Sequence, residues 1–167
     1  MGIKGTKKAV IIIISTWFGC GFFPLAPGTF ASIASIPVLF LLRNWSPWMR
    51  IIILISIICL SIAVSEYAEK IFGEKDPKQI VIDEVAGMLV CCVFMPFKWR
   101  YIAIGFILFR LLDILKPFPI NMVESLRGGL GIVIDDLLAG AISYALMFVL
   151  VFFLWHGDLE EFYSFFL

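Results

Sequence analysis

The sequence has little charge, a single histidine and no cysteine spacing typical of a metal site. Only 16% of its 167 residues are charged, whereas a soluble domain carries about 25%. Hydrophobic residues make up 62%, which is more than one small core can bury. The 13 basic and 13 acidic side chains cancel, and this balance argues against a nucleic-acid partner. The scarcity of charge therefore favours a lipid bilayer as the surrounding solvent.

Further absences exclude several kinds of active site. The four cysteines lie in apolar stretches and are interpreted as small buried hydrophobic residues. The lone His156 cannot supply the histidines that a histidine-based lipid phosphatase uses. No Gly-Lys-Ser follows a glycine-rich stretch, which excludes a nucleoside-triphosphate loop. No Asp-x-Asp-x-Thr is present either, which excludes a phosphatase of the haloacid-dehalogenase type.

Long apolar runs predict an all-α fold, a polytopic helical membrane bundle formed by a single domain over residues 1–167. A membrane-spanning helix needs about 20 mostly apolar residues. The candidate spans, of which the second and the last come nearest this length, are residues 30–42, 49–64, 85–96, 101–115 and 132–155. Gly19, Gly21 and Pro24 interrupt residues 9–23, so a re-entrant or interfacial helix is predicted there. We therefore expect four to five spans plus this N-terminal helix.

Pairs of adjacent carboxylates occur twice inside apolar stretches. Asp83 and Glu84 follow Ile-Val-Ile and precede Val-Ala-Gly. Asp135 and Asp136 also follow Ile-Val-Ile and precede Leu-Leu-Ala-Gly, and a further acid, Asp113, lies in another apolar run. Carboxylates in membrane segments are costly, so they indicate a functional site. Clustered carboxylates without His or Cys favour Mg²⁺ or Mn²⁺ as the bound ion.

The two acidic pairs can be aligned in two ways. Alignment on Ile-Val-Ile pairs Asp83 with Asp135, whereas alignment on Ala-Gly pairs Asp83 with Asp136. A shift of one residue turns a helical side chain by about 100°, so the two alignments place the carboxylates differently. In both alignments each pair is predicted to open a helix.

Alternating the candidate spans across the bilayer gathers the polar motifs on one side, called face A. The loop 66–78 lies on this face, and so do the starts of the spans at residues 85 and 132. The span ending at residue 115 returns to it, and Pro27-Gly28-Thr29 also falls there. Motifs placed at random would occupy both faces, so these motifs are predicted to form one site.

Basic and hydroxyl side chains on face A suit an anion. Arg110, Asp113 and Lys116 are spaced by three residues, which brings the first two onto one helix face. Arg and Lys are phosphate-binding residues, although an ion pair within the helix, with Lys116 extended to the lipid headgroups, is the alternative. Thr29 and Ser32 are predicted to cap a helix whose free amides suit a phosphate, with capping alone as the alternative. Together these residues predict phosphoester chemistry at the membrane surface.

Two further segments receive smaller roles. Gly128-Gly129-Leu130-Gly131 is predicted to present bare backbone just ahead of Asp135. The charged stretch 66–75 is interpreted as the solvated end of a helix rather than as part of the chemistry.

Four segments in chain order resemble the signatures of the phosphatidylglycerophosphatase A family. They are residues 19–29 (GCGFFPLAPGT), 80–87 (IVIDEVAG), 109–120 (FRLLDILKPFPI) and 128–140 (GGLGIVIDDLLAG). The resemblance covers roughly residues 15–145. Ala31 departs from the glycine expected two residues after Gly-Thr, and the tail 155–167 matches no family segment.

The resemblance implies an enzyme, a Mg²⁺-dependent lipid phosphatase at the membrane interface. It would hydrolyse the terminal phosphomonoester of phosphatidylglycerophosphate to phosphatidylglycerol and phosphate. The implied location is the bacterial inner membrane, with multiple spans, and the implied partners are the membrane and an anionic phospholipid substrate. The active site is predicted to face the cytoplasm, where that substrate is made.

The residues and the resemblance together give predicted roles. The predicted catalytic residues are Asp83, Glu84, Asp113 and Asp136. The predicted metal ligands are Asp83, Asp113, Asp135 and Asp136, for Mg²⁺ or Mn²⁺. The predicted phosphate contacts are Arg110, Lys116, Thr29 and Ser32. The nucleophile is either a water on the metal or one of the aspartates.

Two other functions stand as alternatives. A CDP-alcohol phosphotransferase also uses membrane aspartates and a divalent ion, but its Asp-Gly-x-x-Ala-Arg signature is missing here. A small membrane cation transporter would use buried carboxylates as an ion path. Its acids would be spread through the depth of the bundle, whereas here they are predicted to gather at one end.

Overall fold

The computed structural model describes residues 5–123, 126 and 128–154, and the regular structure of these ranges is helical. The helices are α1 (Gly5–Ser15), α2 (Pro27–Leu42), α3 (Pro47–Phe72), α4 (Ile82–Cys92), α5 (Trp99–Leu115), α6 (Ile120–Val123) and α7 (Gly128–Leu154), with a short 3₁₀ helix at Cys20–Phe22. The predicted all-α fold is confirmed for this part of the chain. His156 and the tail 155–167 lie outside the described residues.

Two helices are long and apolar enough to cross a membrane. They are α3 and the stretch Gly128–Phe153 of α7, with 26 residues each. The other candidate spans are shorter, since α2, α4 and α5 have 16, 11 and 17 residues. Two of the predicted four to five spans therefore meet the length of a membrane-crossing helix by themselves.

The predicted N-terminal helix over residues 9–23 is shorter than expected. It ends at Ser15, because Trp17, Phe18 and Gly19 all adopt left-handed backbone conformations. The chain then reverses through the 3₁₀ helix toward α2. The sequence places glycine at only one of these three left-handed positions, so the early break could not be read from glycine and proline alone.

Helix α4 is the centre of the fold and contacts α2, α3, α5 and α7. Nine of its 11 residues are buried, although it is too short to cross a bilayer by itself. Small residues allow close approach to its neighbours: Gly105 of α5 packs against the thiols of Cys91 and Cys92. These two cysteines are buried as predicted, whereas Cys59 on α3 is exposed, so the interpretation of all four as buried residues is wrong for Cys59.

Arg50 connects the C-terminal ends of α2 and α4 through hydrogen bonds to backbone carbonyls. Its guanidinium donates to the carbonyl oxygens of Trp45 (3.1 Å), Val93 (3.2 Å) and Arg43. Arg43 and Val93 directly follow the last residues of α2 and α4, so one side chain satisfies carbonyls at two helix ends. The guanidinium also lies 4.7 Å from the ring centre of Phe97. Arg50 is buried. The polar residues lie at the opposite, N-terminal ends of α2 and α4.

Candidate active site

A cavity of about 260 Å³ lies at the N-terminal ends of α2 and α4. Its lining residues are Ala26, Pro27, Gly28, Asp76, Lys78, Ile80, Asp83, Glu84, Arg110, Asp113, Lys116, Ile132, Asp135 and Asp136. They come from α2, the loop before α4, the first turn of α4, the end of α5 and the start of α7. The structure therefore brings the acidic and basic residues assigned to face A together in one cavity, without Thr29 and Ser32.

Three carboxylates form the acidic centre of this cavity. Asp83, Glu84 and Asp136 each have an oxygen within 4.8 Å of an oxygen of the other two. A second observation marks this group, since Asp83 Oδ1, Glu84 Oε2 and Asp136 Oδ2 are buried without a hydrogen-bond partner. Unpartnered buried carboxylate oxygens are costly, and a cation removes that cost. The cluster thus has the donor atoms and the vacant lone pairs of a site for a hard divalent cation.

The first turn of α4 supplies two of the three acids. Asp83 and Glu84 lie at its positively polarised end, which favours negative charge. Burial, together with the neighbouring Glu84 carboxylate, raises the pKa of the Asp83 carboxyl well above its usual value. Burial likewise raises the pKa of Glu84.

A contact between two glycines sets the spacing of the cluster. Gly87 of α4 and Gly140 of α7 touch, and a β-carbon on Gly140 would overlap the carbonyl oxygen of Gly87. Asp83 and Asp136 each lie four residues, about one helical turn, before one of these glycines. The contact therefore places the two carboxylates side by side, and the alignment on Ala-Gly is the one that the fold uses.

Gly28 at the start of α2 leaves room for the charged groups. A β-carbon at this position would overlap Glu84 Oε1 and would lie 3.2 Å from Arg110 Nη1. Helix α2 begins at Pro27, as the Pro-Gly-Thr motif predicts. The predicted capping role of Thr29 and Ser32 is wrong, because Ala26 precedes the helix and no side chain caps it.

Thr29 and Ser32 do not line the cavity. The Ser32 hydroxyl is buried and donates to the Gly28 carbonyl of its own helix at 2.8 Å. These two predicted phosphate contacts are thus absent from the cavity lining, whereas the neighbouring Pro27 and Gly28 belong to it.

Two ion pairs border the acidic cluster. Arg110 Nη1 lies 2.6 Å from Asp113 Oδ2 and 3.9 Å from Glu84 Oε1. The predicted sharing of one helix face by Arg110 and Asp113 is therefore confirmed. Arg110 Nε is buried and has no hydrogen-bond partner, and the Arg110 side chain lines the cavity. Asp113 lines the same cavity, contacts Arg110, and is also a close charged neighbour of Asp136.

The second pair joins α5 to α7. Lys116 Nζ donates to Asp135 Oδ2 at 2.8 Å. Lys116 adopts a left-handed conformation directly after α5, and its side chain lines the cavity. Of the alternative interpretation, the ion pair within α5 is present between Arg110 and Asp113, whereas Lys116 pairs with Asp135 instead of extending to the lipid headgroups. Asp135 contacts Lys116 and, like Asp113, is not one of the three clustered acids.

The glycines before the second acidic pair have a different role from the one predicted. Helix α7 begins at Gly128, so Asp136 lies in its third turn instead of opening the helix. Gly129 packs against Ile62 and Glu66 of α3, where a β-carbon would overlap the Ile62 carbonyl oxygen. Glu66 Oε2 also accepts from the Gly129 N–H at 2.8 Å. This backbone contacts α3 rather than a ligand, and Glu66 caps α7 instead of being merely solvated.

The N-terminal signature fixes the loop that leads to the acids. A β-carbon on Gly21 would overlap the carbonyl oxygen of Gln79. The Val81 N–H donates to the Ser15 carbonyl at 2.9 Å. Both contacts hold the loop two to four residues before Asp83, which explains why a glycine-rich N-terminal motif accompanies a distant acidic pair.

Asp76 and Lys78 are the lining residues that sequence reasoning missed. Both lie in the charged loop before α4, and Asp76 has a left-handed backbone. Their short distance along the chain from Asp83 could have indicated them, because the loop that directly precedes a site residue tends to border the same cavity.

The fold and the cavity define an enzyme class. Two helices long enough to cross a membrane accompany an oxygen-lined acidic cavity with guanidinium and ammonium groups at its border. This combination suits an enzyme that acts on phosphate esters of lipids.

Comparisons with known proteins give the family. The family model of Phosphatidylglycerophosphatase A matches residues 13–151. Phosphatidylglycerophosphatase A of Escherichia coli K12 is 35% identical over 139 residues, which cover 81% of this chain and 80% of the relative. The Haemophilus influenzae protein of the same name is 32% identical over 148 residues, or 86% and 90% of the two chains.

A third relative, from Bacteroides thetaiotaomicron, is named a putative phosphatidylinositol-3-phosphatase. It is 36% identical over 146 residues, which cover 83% of this chain and 91% of the relative. No solved structure gives a significant match. The chain belongs to the phosphatidylglycerophosphatase A family and is a lipid phosphatase, which confirms the resemblance read from the four segments.

Proposed function

We propose that this protein is a Mg²⁺-dependent phosphatase that hydrolyses the terminal phosphomonoester of phosphatidylglycerophosphate. The products are phosphatidylglycerol and inorganic phosphate. The observation that carries the proposal is the cluster of Asp83, Glu84 and Asp136, with unpartnered oxygens, beside Arg110 and Lys116. The names of the Escherichia coli and Haemophilus influenzae relatives support this substrate.

The donor set fits Mg²⁺ or Mn²⁺, because it consists of carboxylate oxygens. Asp83, Glu84 and Asp136 would hold the ion. Mg²⁺ usually takes one or two carboxylates and leaves its other positions to water and substrate phosphate, so three acids suffice. Asp113 and Asp135, also predicted as ligands from the sequence, line the same cavity and contact Arg110 and Lys116, and their role as ligands stays a prediction. When bound, the ion polarises a phosphoryl oxygen and offsets the charge that develops in the reaction.

Arg110 is the residue that we assign to the phosphate. Its side chain lines the cavity, and its guanidinium matches the geometry of phosphate oxygens. Asp113, at 2.6 Å from Nη1, holds the guanidinium in this orientation. Lys116 is held in the same way by Asp135 and adds a second positive charge. The two pairs preorganise the cations, so little reorganisation accompanies phosphate binding.

Glu84, one of the acids that would hold the ion, is also the residue that we assign to proton transfer, through the carboxylate oxygen that does not contact the ion. It belongs to the acidic cluster and also lies 3.9 Å from Arg110, the phosphate-binding residue. A carboxylate between the two groups can accept the proton of an attacking water and keep it within the site. The absence of a side chain at Gly28 leaves the space in which Glu84 and Arg110 meet.

We further propose that α3 and α7 cross the bacterial inner membrane and that the shorter helices complete the bundle. The cavity includes residues just after α3 and in the first turns of α7, so it would lie at one membrane surface. We assign this surface to the cytoplasm, where the substrate is made. Labelling of K75C, in a C59S background, by a membrane-impermeant thiol reagent tests this. Labelling from outside intact cells would contradict a cytoplasmic cavity.

The decisive experiment measures phosphate release from phosphatidylglycerophosphate in detergent micelles. We expect activity that is lost with a chelator, restored by Mg²⁺ and absent in D136N. The matched control is E74Q, since Glu74 is exposed and does not line the cavity. Hydrolysis that persists in the chelator would refute metal dependence. Cation flux through proteoliposomes without phosphate release would favour a transporter, although the acids gathered at one end argue against an ion path.

A further inference from the structure

The cavity contains three cationic side chains, and they differ in their surroundings. Arg110 and Lys116 each lie within 3 Å of a carboxylate oxygen. Lys78 lines the same cavity but is exposed, which places it at the mouth. Among the residues that the structure describes, no carboxylate forms an ion pair with Lys78. Its charge is therefore available to an anion that enters the cavity.

The backbone that carries Lys78 is held in place. The Ile80 N–H donates to the Pro77 carbonyl at 2.8 Å and closes a turn around Lys78. Pro77 and Ile80 are buried, and the adjoining Val81 is anchored to Ser15 through its backbone N–H. The position of the Lys78 backbone relative to the acids of α4 is thus set by the fold, although the side chain itself extends to solvent.

The size of the cavity limits what reaches the acids. At about 260 Å³ it lies just below the range of about 300–1,000 Å³ that holds a drug-sized ligand. We expect a cavity of this size to hold a phosphorylated headgroup, with the acyl chains outside. The rest of a headgroup whose terminal phosphate contacts Arg110 would extend toward the exposed side of the cavity, where Lys78 lies.

We propose that Lys78 is a specificity-determining residue that pairs with a second phosphate of the lipid substrate. This inference rests on the proposed function and extends it. In phosphatidylglycerophosphate the second phosphate is the phosphodiester that joins the glycerol headgroup to the diacylglycerol. The substrate class is then a lipid with a phosphomonoester and a phosphodiester on one headgroup. Phosphatidic acid is a lipid with a single phosphate. When this phosphate binds Arg110, no second phosphate remains to pair with Lys78.

The test compares K78Q with the wild type in mixed micelles of constant surface charge. The substrate is phosphatidylglycerophosphate, and phosphatidic acid serves as a competing ligand whose inhibition constant is measured. We expect K78Q to raise the KM for phosphatidylglycerophosphate about twofold to fivefold, as for an exposed ion pair, with kcat unchanged. The inhibition constant of phosphatidic acid should stay unchanged. K78R keeps the positive charge, so its KM should equal that of the wild type.

K75Q is the matched control. Lys75 lies in the same loop and is exposed, but it lines a smaller neighbouring cavity instead of the one with Arg110. We expect its KM to equal that of the wild type. An unchanged KM in K78Q, an equal weakening of phosphatidic acid binding, or the same KM change in K75Q would each overturn the proposal. Failure of the wild type to release phosphate from phosphatidylglycerophosphate would instead refute the proposed function itself, and the role of Lys78 with it.

Discussion

Gly140 of α7 lies against the carbonyl oxygen of Gly87 in α4, with no room for a β-carbon between the two helices. Asp83 and Asp136 each precede one of these glycines by four residues. Since the earlier residues meet at the acidic cluster and the later ones at the glycine contact, α4 and α7 run in the same direction. The glycine contact therefore determines how closely two of the three clustered carboxylates approach.

The first prediction follows from this contact. In G140A the new methyl group overlaps the Gly87 carbonyl and pushes α7 away from α4. Overpacking of this kind costs about 1–3 kcal/mol. We expect a lower melting temperature in detergent and at least a tenfold loss of phosphate release, because a shift of about 1 Å at a catalytic cluster is sufficient for such a loss.

G5A is the control for the glycine contact, because no atom lies within 4 Å of a β-carbon placed at Gly5. It should melt and turn over like the wild type. If G140A retained both the wild-type melting temperature and its activity, the close approach of α4 and α7 would not control the site.

The second prediction separates the acids that the sequence treats alike. Asp83 and Asp136 belong to the three-carboxylate cluster, whereas Asp135 contacts Lys116. We expect D83N and D136N to lose phosphate release by about 10²-fold or more, since each removes a charge that the proposed ion needs. D135N should lose clearly less. The rates of phosphate release of the three variants, measured at saturating Mg²⁺ with E74Q as the control, show which substitution is most damaging.

The apparent affinity for Mg²⁺ gives an independent measure of the same distinction. It should weaken strongly in D83N and D136N and only slightly in D135N, because the Asp135 carboxylate is directed to Lys116. If D135N were as impaired as D136N in both measurements, Asp135 would act as a metal ligand, as predicted from the sequence.

The sequence identified the polar elements of the site but not their partners. Adjacent carboxylates in apolar runs predicted Asp83, Glu84 and Asp136, because such residues are too costly in a membrane segment without a function. The sequence alone allows two alignments of the acidic pairs and does not show whether Asp135 or Asp136 lies beside Asp83. The contact between α4 and α7 decides between them. Only the packed structure shows that the Ala-Gly alignment places the acids together.

The start of α7 shows why other predictions failed. A Gly-Gly-Leu-Gly stretch resembles a loop, since glycine is a poor helix former. Here the missing side chains permit contact with Ile62 and Glu66 of α3, and tertiary packing outweighs the local preference. Lys78 escaped notice for a different reason, because it lies in a loop without periodicity and only the cavity connects it to Arg110.

The third prediction concerns the pair of Lys116 and Asp135. The side chains are 25% and 9% exposed, so the pair is screened only in part. A double-mutant cycle with K116M and D135N should give a coupling free energy of unfolding of about 1 kcal/mol, within the usual range for contacting residues. The control cycle uses Glu66 and Lys70, which are 41% and 62% exposed.

For the exposed pair of Glu66 and Lys70 we expect a coupling of about 0.3–0.5 kcal/mol at most, typical of exposed pairs one helical turn apart. Both cycles are measured by denaturant unfolding in the same detergent. A Lys116 pair that couples no more strongly than the exposed pair would mean that Lys116 is not fixed beside the cavity and does not preorganise the site.

The last prediction concerns the end of the bundle farthest from the acids. R50M removes the donors to carbonyls at the ends of α2 and α4, and unsatisfied buried acceptors cost about 1–3 kcal/mol each. We expect a loss of roughly 2–4 kcal/mol in the free energy of unfolding and a smaller loss in R50K. Because the acids lie at the other ends of these helices, kcat/KM per folded molecule should stay at the wild-type value. R43Q, which changes an exposed side chain and keeps the Arg43 carbonyl, should melt like the wild type. A loss of kcat/KM in fully folded R50M would show that the two ends of the bundle are coupled.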